Sequence, residues 1–244
     1  MRIGVQLYTL RDQLDNDLPG TFSRLQQIGY KVVETAGLHG LTPDQYRKRL
    51  DEAGLNAVSC HVGLPDVEGN LDETAAMAKA LGATWLVVPW IGEETYGAGW
   101  AQVGERMGKV AENVLKKGLK FGYHNHAFEF DLEDGIPGFA RFWDAAPVLV
   151  EAELDLYWAH YAGHEPSQWL RNLSGRVSLA HFKDGKDGKF TPVGEGEIDW
   201  KVIKQAAELA GVEYAIVELD ECPRDPIDCV ESSFNYLKGI GLSA

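Results

Sequence analysis

Seven apolar runs in this 244-residue chain stop at side chains with chemistry to offer. Glu34 follows Lys31-Val32-Val33, His61 ends Ala57-Val58-Ser59-Cys60, and Trp90 follows Trp85 to Pro89. His124, Asn125 and His126 close Phe121-Gly122-Tyr123, and Asp155 follows Val148 to Leu154. His181 and Lys183 end Val177 to Ala180, while Glu218 and Asp220 follow Tyr214 to Val217. A single histidine in such a place reads first as a hydrogen-bonded structural residue. Four of the seven histidines in one set, beside carboxylates, read as a metal site. Hard divalent cations such as Mn²⁺ or Mg²⁺ take oxygen ligands with some imidazole, and Asp155, His181 and Glu218 close three successive runs with that mixture. The fourth ligand falls to the fifth run, where Glu129, His124 and His126 compete. Alternation puts His124 and His126 on one side, whereas Glu129 reaches the site only if the chain bends near Ala127. Glu153, on the same face as Asp155, is either a further ligand or the partner of a lysine such as Lys183. Glu218 also has a second reading, as an interior carboxylate paired with Lys183.

These residues need elements that hold them at one height. Six times a helical stretch ends at a glycine and a β-rich run begins within a few residues, at Gly29, Gly54, Gly82, Gly118, Gly175 and Gly211. Helix starts are marked by Thr42-Pro43-Asp44-Gln45, by Asn70 before Leu71-Asp72-Glu73, and by Asp199 before Trp200. With Ile3 to Tyr8 as a first strand and Val148 to Leu154 as a sixth, eight strands alternate with helices at a spacing of about 30 residues. The expected fold is therefore α/β, a single (β/α)₈ TIM barrel in one domain spanning residues 1–244. A doubly wound open sheet is the alternative, and no glycine-rich nucleotide fingerprint follows any strand to support it. In a barrel the chemistry sits at the C-terminal ends of the strands, where the residues above fall.

Lys and Arg number 23 against 37 Asp and Glu, a formal net charge of −14. An acidic surface repels nucleic acid and anionic membranes, so neither is an expected partner. Three cysteines without a CxxC pair argue against a disulfide framework or a structural zinc. Met1-Arg2 leads straight into a strand-like run, and no apolar stretch approaches the ~18 residues of a membrane span. The expected location is the cytoplasm. The oligomeric state, a homo-oligomer included, stays open.

The motifs around these residues resemble a known family. Gly4-Val5-Gln6-Leu7-Tyr8-Thr9, Gly122-Tyr123-His124-Asn125-His126-Ala127-Phe128-Glu129-Phe130, Glu153-Leu154-Asp155-Leu156-Tyr157-Trp158, His181-Phe182-Lys183-Asp184, Gly194-Glu195-Gly196-Glu197-Ile198-Asp199-Trp200 and Val217-Glu218-Leu219-Asp220 are similar to the sugar phosphate isomerase/epimerase family. That family lies among the xylose-isomerase-like TIM barrels. The resemblance implies one divalent metal, Mn²⁺ first with Mg²⁺, Co²⁺ or Zn²⁺ as alternatives, and keto or aldo sugars or polyols as substrates. It also implies Glu, Asp, His and Glu ligands from strands five to eight. Asp155, His181 and Glu218 match the last three, while His124 stands near the place of the first, a departure at strand five. No phosphate cradle accompanies the family's name.

The expected activity is isomerisation or epimerisation through an enediolate, with Glu218 or Glu129 removing the proton alpha to a carbonyl. His61, Trp90, His124, His126 and Lys183 are the expected substrate-binding residues. The same enediolate could expel a beta substituent, so a keto-sugar or inosose dehydratase is the close alternative. A non-catalytic sugar-binding barrel would keep the aromatic walls but has no use for a carboxylate–imidazole ring. An abasic-site endonuclease on a related barrel needs a basic face that this chain lacks.

Overall fold

Period-two alternation along each apolar run builds the architecture in layers. The computed structural model describes residues 1–244. The barrel strands are β1 (Arg2–Gln6), β2 (Val32–Ala36), β3 (Asn56–His61), β4 (Trp85–Val88), β5 (Lys120–His124), β6 (Val150–Asp155), β7 (Leu179–Phe182) and β8 (Tyr214–Val217). All pair in parallel in chain order, and β1 closes the barrel by pairing with both β2 and β8. The expected (β/α)₈ barrel is the observed one.

Inward positions divide into two tiers. Toward the N-terminal ends, Val32, Val58, Trp85, Val87, Leu179, Tyr214 and Ile216 form a separate apolar cluster that plugs the barrel. One pleat further along, the inward residues are Gln6, Glu34, His124, Glu153, His181 and Glu218, all buried. The register brings them together: His124 lies opposite Glu153, and Asp155 opposite His181. The outward faces of the strands pack under the helices in the main apolar core.

The six helix-ending glycines all have positive φ. At Gly29, with φ 119°, the requirement is double, since a Cβ there would meet the Phe234 ring at 2.9 Å. Thr42 and Gln45 form the expected capping box, and the Asp199 side chain caps Lys201 and Val202. Asn70 does not cap with its side chain: the helix Leu64–Gly69 runs into it, at φ −131° and ψ 37°. Tyr8 falls outside β1, because the Gln6 side-chain oxygen accepts from the Tyr8 amide and turns Leu7–Leu10 into a 3₁₀ turn.

Candidate active site

The polar tier is a continuous network of buried acids and imidazoles. Glu34 accepts from Gln6 Nε2 at 2.7 Å and from the Ser59 hydroxyl. Both nitrogens of His181 face carboxylates, Nδ1 at 2.8 Å from Glu218 and Nε2 at 2.8 Å from Glu34 and 3.2 Å from Glu153. His61 Nε2 lies 2.6 Å from Glu153. Lys183, fully buried, places its ammonium 3.0 Å from Asp155, 2.8 Å from Glu218 and 2.8 Å from Asp220. The Lys183 partnership foreseen for Glu218 is present, whereas Glu153 pairs with histidines instead. Lys183 also lies over the Trp158 ring, 5.3 Å from its centre.

Two sets of donors converge closely enough to hold an ion. His124, Asp155, His181 and Glu218 form an outer group, and His61, His124, Glu153 and His181 an inner one, with the ligating atoms of each within 4.8 Å of one another. His124 thus takes the strand-five place for which Glu129 and His126 competed. The fit is supported by orphaned buried atoms: His124 Nδ1 and Glu153 Oε1 have no hydrogen-bond partner, and Asp155 Oδ2 is close to Lys183 without being aligned for a hydrogen bond. Buried polar atoms are rarely left so, and two imidazoles with two carboxylates suit a divalent transition metal.

Glu129 is the expectation the structure corrects. The chain does bend, into a 3₁₀ turn at Phe128–Phe130, but the carboxylate turns behind the barrel wall. It accepts from the Tyr123 hydroxyl at 2.9 Å and the His126 amide at 2.8 Å. Tyr123 points outward from β5 to pack on Phe142, and Glu129 belongs to neither donor group.

Electrostatics sort the titrating groups. Burial opposes charge on His61, yet Glu34 and Glu153 outweigh it and raise its pKa to about 10. His181 is likewise raised by Glu153 and Glu218 against burial. Burial, reinforced by the neighbouring cations, drives His124 well below its usual value and takes His126 to about 4. Burial would raise Glu218, but Lys183 and His181 hold it well below the carboxylate range. Asp155 is pushed up to about 6, burial exceeding the pull of Lys183.

A cleft of about 450 Å³ opens over this network, lined by Tyr8, His61, Trp90, His124, His126, Glu218 and Asp220 among others. Trp90 and Tyr8 are 57% and 44% exposed at its rim, placed as apolar walls. The expected substrate-binding set is therefore gathered at one opening, with Lys183 just beneath. Sequence reasoning passed over Gln6 and Ser59, whose signal was a polar residue at an inward position of an apolar run. It also gave no role to Asp184, which accepts from the amides of Gly185, Gly194, Gly196 and Ile198 and from Trp200 Nε1 at 2.6 Å.

Known proteins share this fold. A model of the xylose isomerase-like TIM barrel family matches residues 22–239. A sugar phosphate isomerase/epimerase from Parabacteroides distasonis superposes with a TM-score of 0.86 at 25% identity, over 97% of this chain and 93% of that one. A D-allulose 3-epimerase from Methylomonas sp. shares the fold at a TM-score of 0.71 and 14% identity, each chain covered to 98%. An inosose dehydratase from Geobacillus kaustophilus is 23% identical, over 92% of this chain and 88% of its own.

Proposed function

Since the chain belongs to the xylose isomerase-like TIM barrel family, we propose that it is a metal-dependent isomerase or epimerase of a keto or aldo sugar or polyol, working through an enediolate. The observation that carries this reading is the outer group, His124, Asp155, His181 and Glu218, at the floor of a cleft walled by aromatic residues. That group would hold a divalent ion, Mn²⁺ before Mg²⁺, Co²⁺ or Zn²⁺, which would supply Lewis acidity to the substrate. Glu218, kept ionised by Lys183 and His181, removes the proton alpha to the carbonyl. Lys183 and His61 stabilise the oxyanion that results. The Glu218 carboxyl so formed returns the proton to the neighbouring carbon in isomerisation, whereas epimerisation takes its proton from solvent on the opposite face as Glu218 releases its own. His126, neutral at the cleft wall, accepts from a substrate hydroxyl. Trp90 stacks on the sugar ring. Three free thiols, Cys60, Cys222 and Cys229, accord with a reducing cytoplasm, and no helix is long and apolar enough to cross a membrane.

The dehydratase reading is favoured by one observation, the similarity to an inosose dehydratase along most of both chains. It needs the same proton abstraction by Glu218, followed by loss of the beta hydroxyl as water with the proton that Glu218 took. A panel of keto sugars and inososes with Mn²⁺, followed by NMR in D₂O, tests both. Alpha-proton exchange should require the metal and fall ~10²- to 10⁴-fold in Glu218→Gln, the usual effect of losing a general base. Undiminished exchange in that variant removes Glu218 from the chemistry, and an olefinic product in place of an epimer decides for the dehydratase.

A further inference from the structure

The outer group leaves Glu153, the carboxylate of the inner group, without a task. We propose that His61, His124, Glu153 and His181 form a second seat for a divalent ion, of the imidazole-preferring class represented by Zn²⁺, and that the two seats compete for one ion per chain. The competition rests on the outer-group reading above, whereas the inner seat stands on its own geometry.

Three imidazole nitrogens surround one carboxylate oxygen. From Glu153 Oε2 it is 2.6 Å to His61 Nε2, 3.2 Å to His181 Nε2 and 3.6 Å to His124 Nδ1. Donors bound about 2.0–2.1 Å from a tetrahedral zinc stand roughly 3.3 Å from one another, a spacing these distances bracket. One donor of the seat, His124 Nδ1, is buried without a partner, as is the second oxygen of its carboxylate, Glu153 Oε1, on residues 2% and 0% exposed. An ion has a way in, because His61 and His124 line the cleft. Behind the seat, Glu218 sits 2.8 Å from His181 Nδ1, the carboxylate that orients a metal-bound imidazole from its far side.

Donor type separates the seats. Three imidazoles and one carboxylate favour Zn²⁺, while two carboxylates and two imidazoles are better suited to Mn²⁺ or Mg²⁺. The resident cation separates them too. The Lys183 ammonium already lies against Asp155 and Glu218, so an ion entering the outer group must share those oxygens with it. No lysine or arginine pairs with Glu153. Both seats draw on His124 and His181, one nitrogen of each ring turned to each side. A neutral imidazole offers a single lone pair, so filling one seat empties the other. Zn²⁺ in the inner seat then withdraws two ligands from the outer one and silences it.

Calorimetric titration of the metal-free protein with Zn²⁺ and with Mn²⁺ tests this, run on wild type, Glu153→Gln, His61→Asn and Asp155→Asn, each checked by circular dichroism. Zn²⁺ binding should weaken in Glu153→Gln and His61→Asn by more than the ~10- to 100-fold cost of an outer-shell change, and stay within a few-fold of wild type in Asp155→Asn. Mn²⁺ should show the reverse. Co²⁺ in Asp155→Asn should give the intense visible bands of four-coordination. Unchanged Zn²⁺ affinity in both inner variants overturns the inner seat and leaves the outer one standing. Unchanged Mn²⁺ affinity in Asp155→Asn overturns the outer reading instead. Two ions per wild-type chain overturn the competition.

Discussion

A carboxyl sealed from water gives up its proton late, even with a phenol and an amide donating to it. Burial lifts Glu129 from its ordinary 4.5 to about 8. A raised pKa means that the folded state keeps a proton which the unfolded state releases. The associated stability is complete below about pH 4.5 and is lost as pH rises through 8, by up to ~1.4 kcal/mol per pH unit. Glu129→Gln removes this dependence while filling the same space. Its urea stability should gain on wild type steadily between pH 5 and 8, since other titrating groups are common to both proteins; parallel curves would show that Glu129 does not titrate in this window. Alpha-proton exchange in the same variant should stay within a few-fold of wild type, because the carboxylate never meets the cleft. The sequence allowed Glu129 either position. Strand alternation is a rule only as far as the strand runs, and β5 stops at His124; beyond it the 3₁₀ turn, not parity, decides where a side chain points.

Elements were the most legible scale, because their ends are written in local chemistry. A glycine with positive φ closes a helix whatever the rest of the chain does, and the run after it is a strand, so six barrel strands were readable from such glycines and β1 and β6 from their apolar runs alone. Asn70 and Tyr8 were misread for a shared reason: neighbouring turns compete for the same backbone groups. The loop after β7 was illegible, since its organiser acts across up to sixteen positions. Asp184 gathers four amides and the Trp200 indole on two oxygens, and a Cβ on Gly196 would stand 2.1 Å from one of them. Asp184→Asn keeps one acceptor but aims an amide at buried donors, and hydrogen bonds to a charged group contribute about 1.5–3 kcal/mol each. The variant should lose at least ~2 kcal/mol in chemical denaturation. Gly196→Ala should lose stability by the same route; wild-type midpoints in both would mean that the loop is held by something other than this carboxylate.

At the scale of the whole molecule, the two interior tiers do different work. The apolar plug below stabilises the barrel, and the acidic tier above works against it. Glu34, Glu153, Asp155, Glu218 and Asp220 face Lys183 and the imidazoliums of His61 and His181, and the chain carries a net charge of −14. Negative charge therefore remains in excess in the buried network, where it is poorly screened. A bound divalent cation relieves that excess in the native state alone, so saturation must appear as stability. At a free Mn²⁺ concentration of 100 Kd the gain is ~2.7 kcal/mol. For a chain of this size a gain of that order raises Tm by about 5–10 °C. Wild-type protein freed of metal should show the shift on adding Mn²⁺, well beyond that given by NaCl of equal ionic strength. Asp155→Ala combined with His181→Ala deletes ligands from both donor groups, and its Tm should respond to Mn²⁺ no more than to NaCl. A full shift in the double variant would place the stabilising ion on the acidic surface and deny the barrel centre its metal.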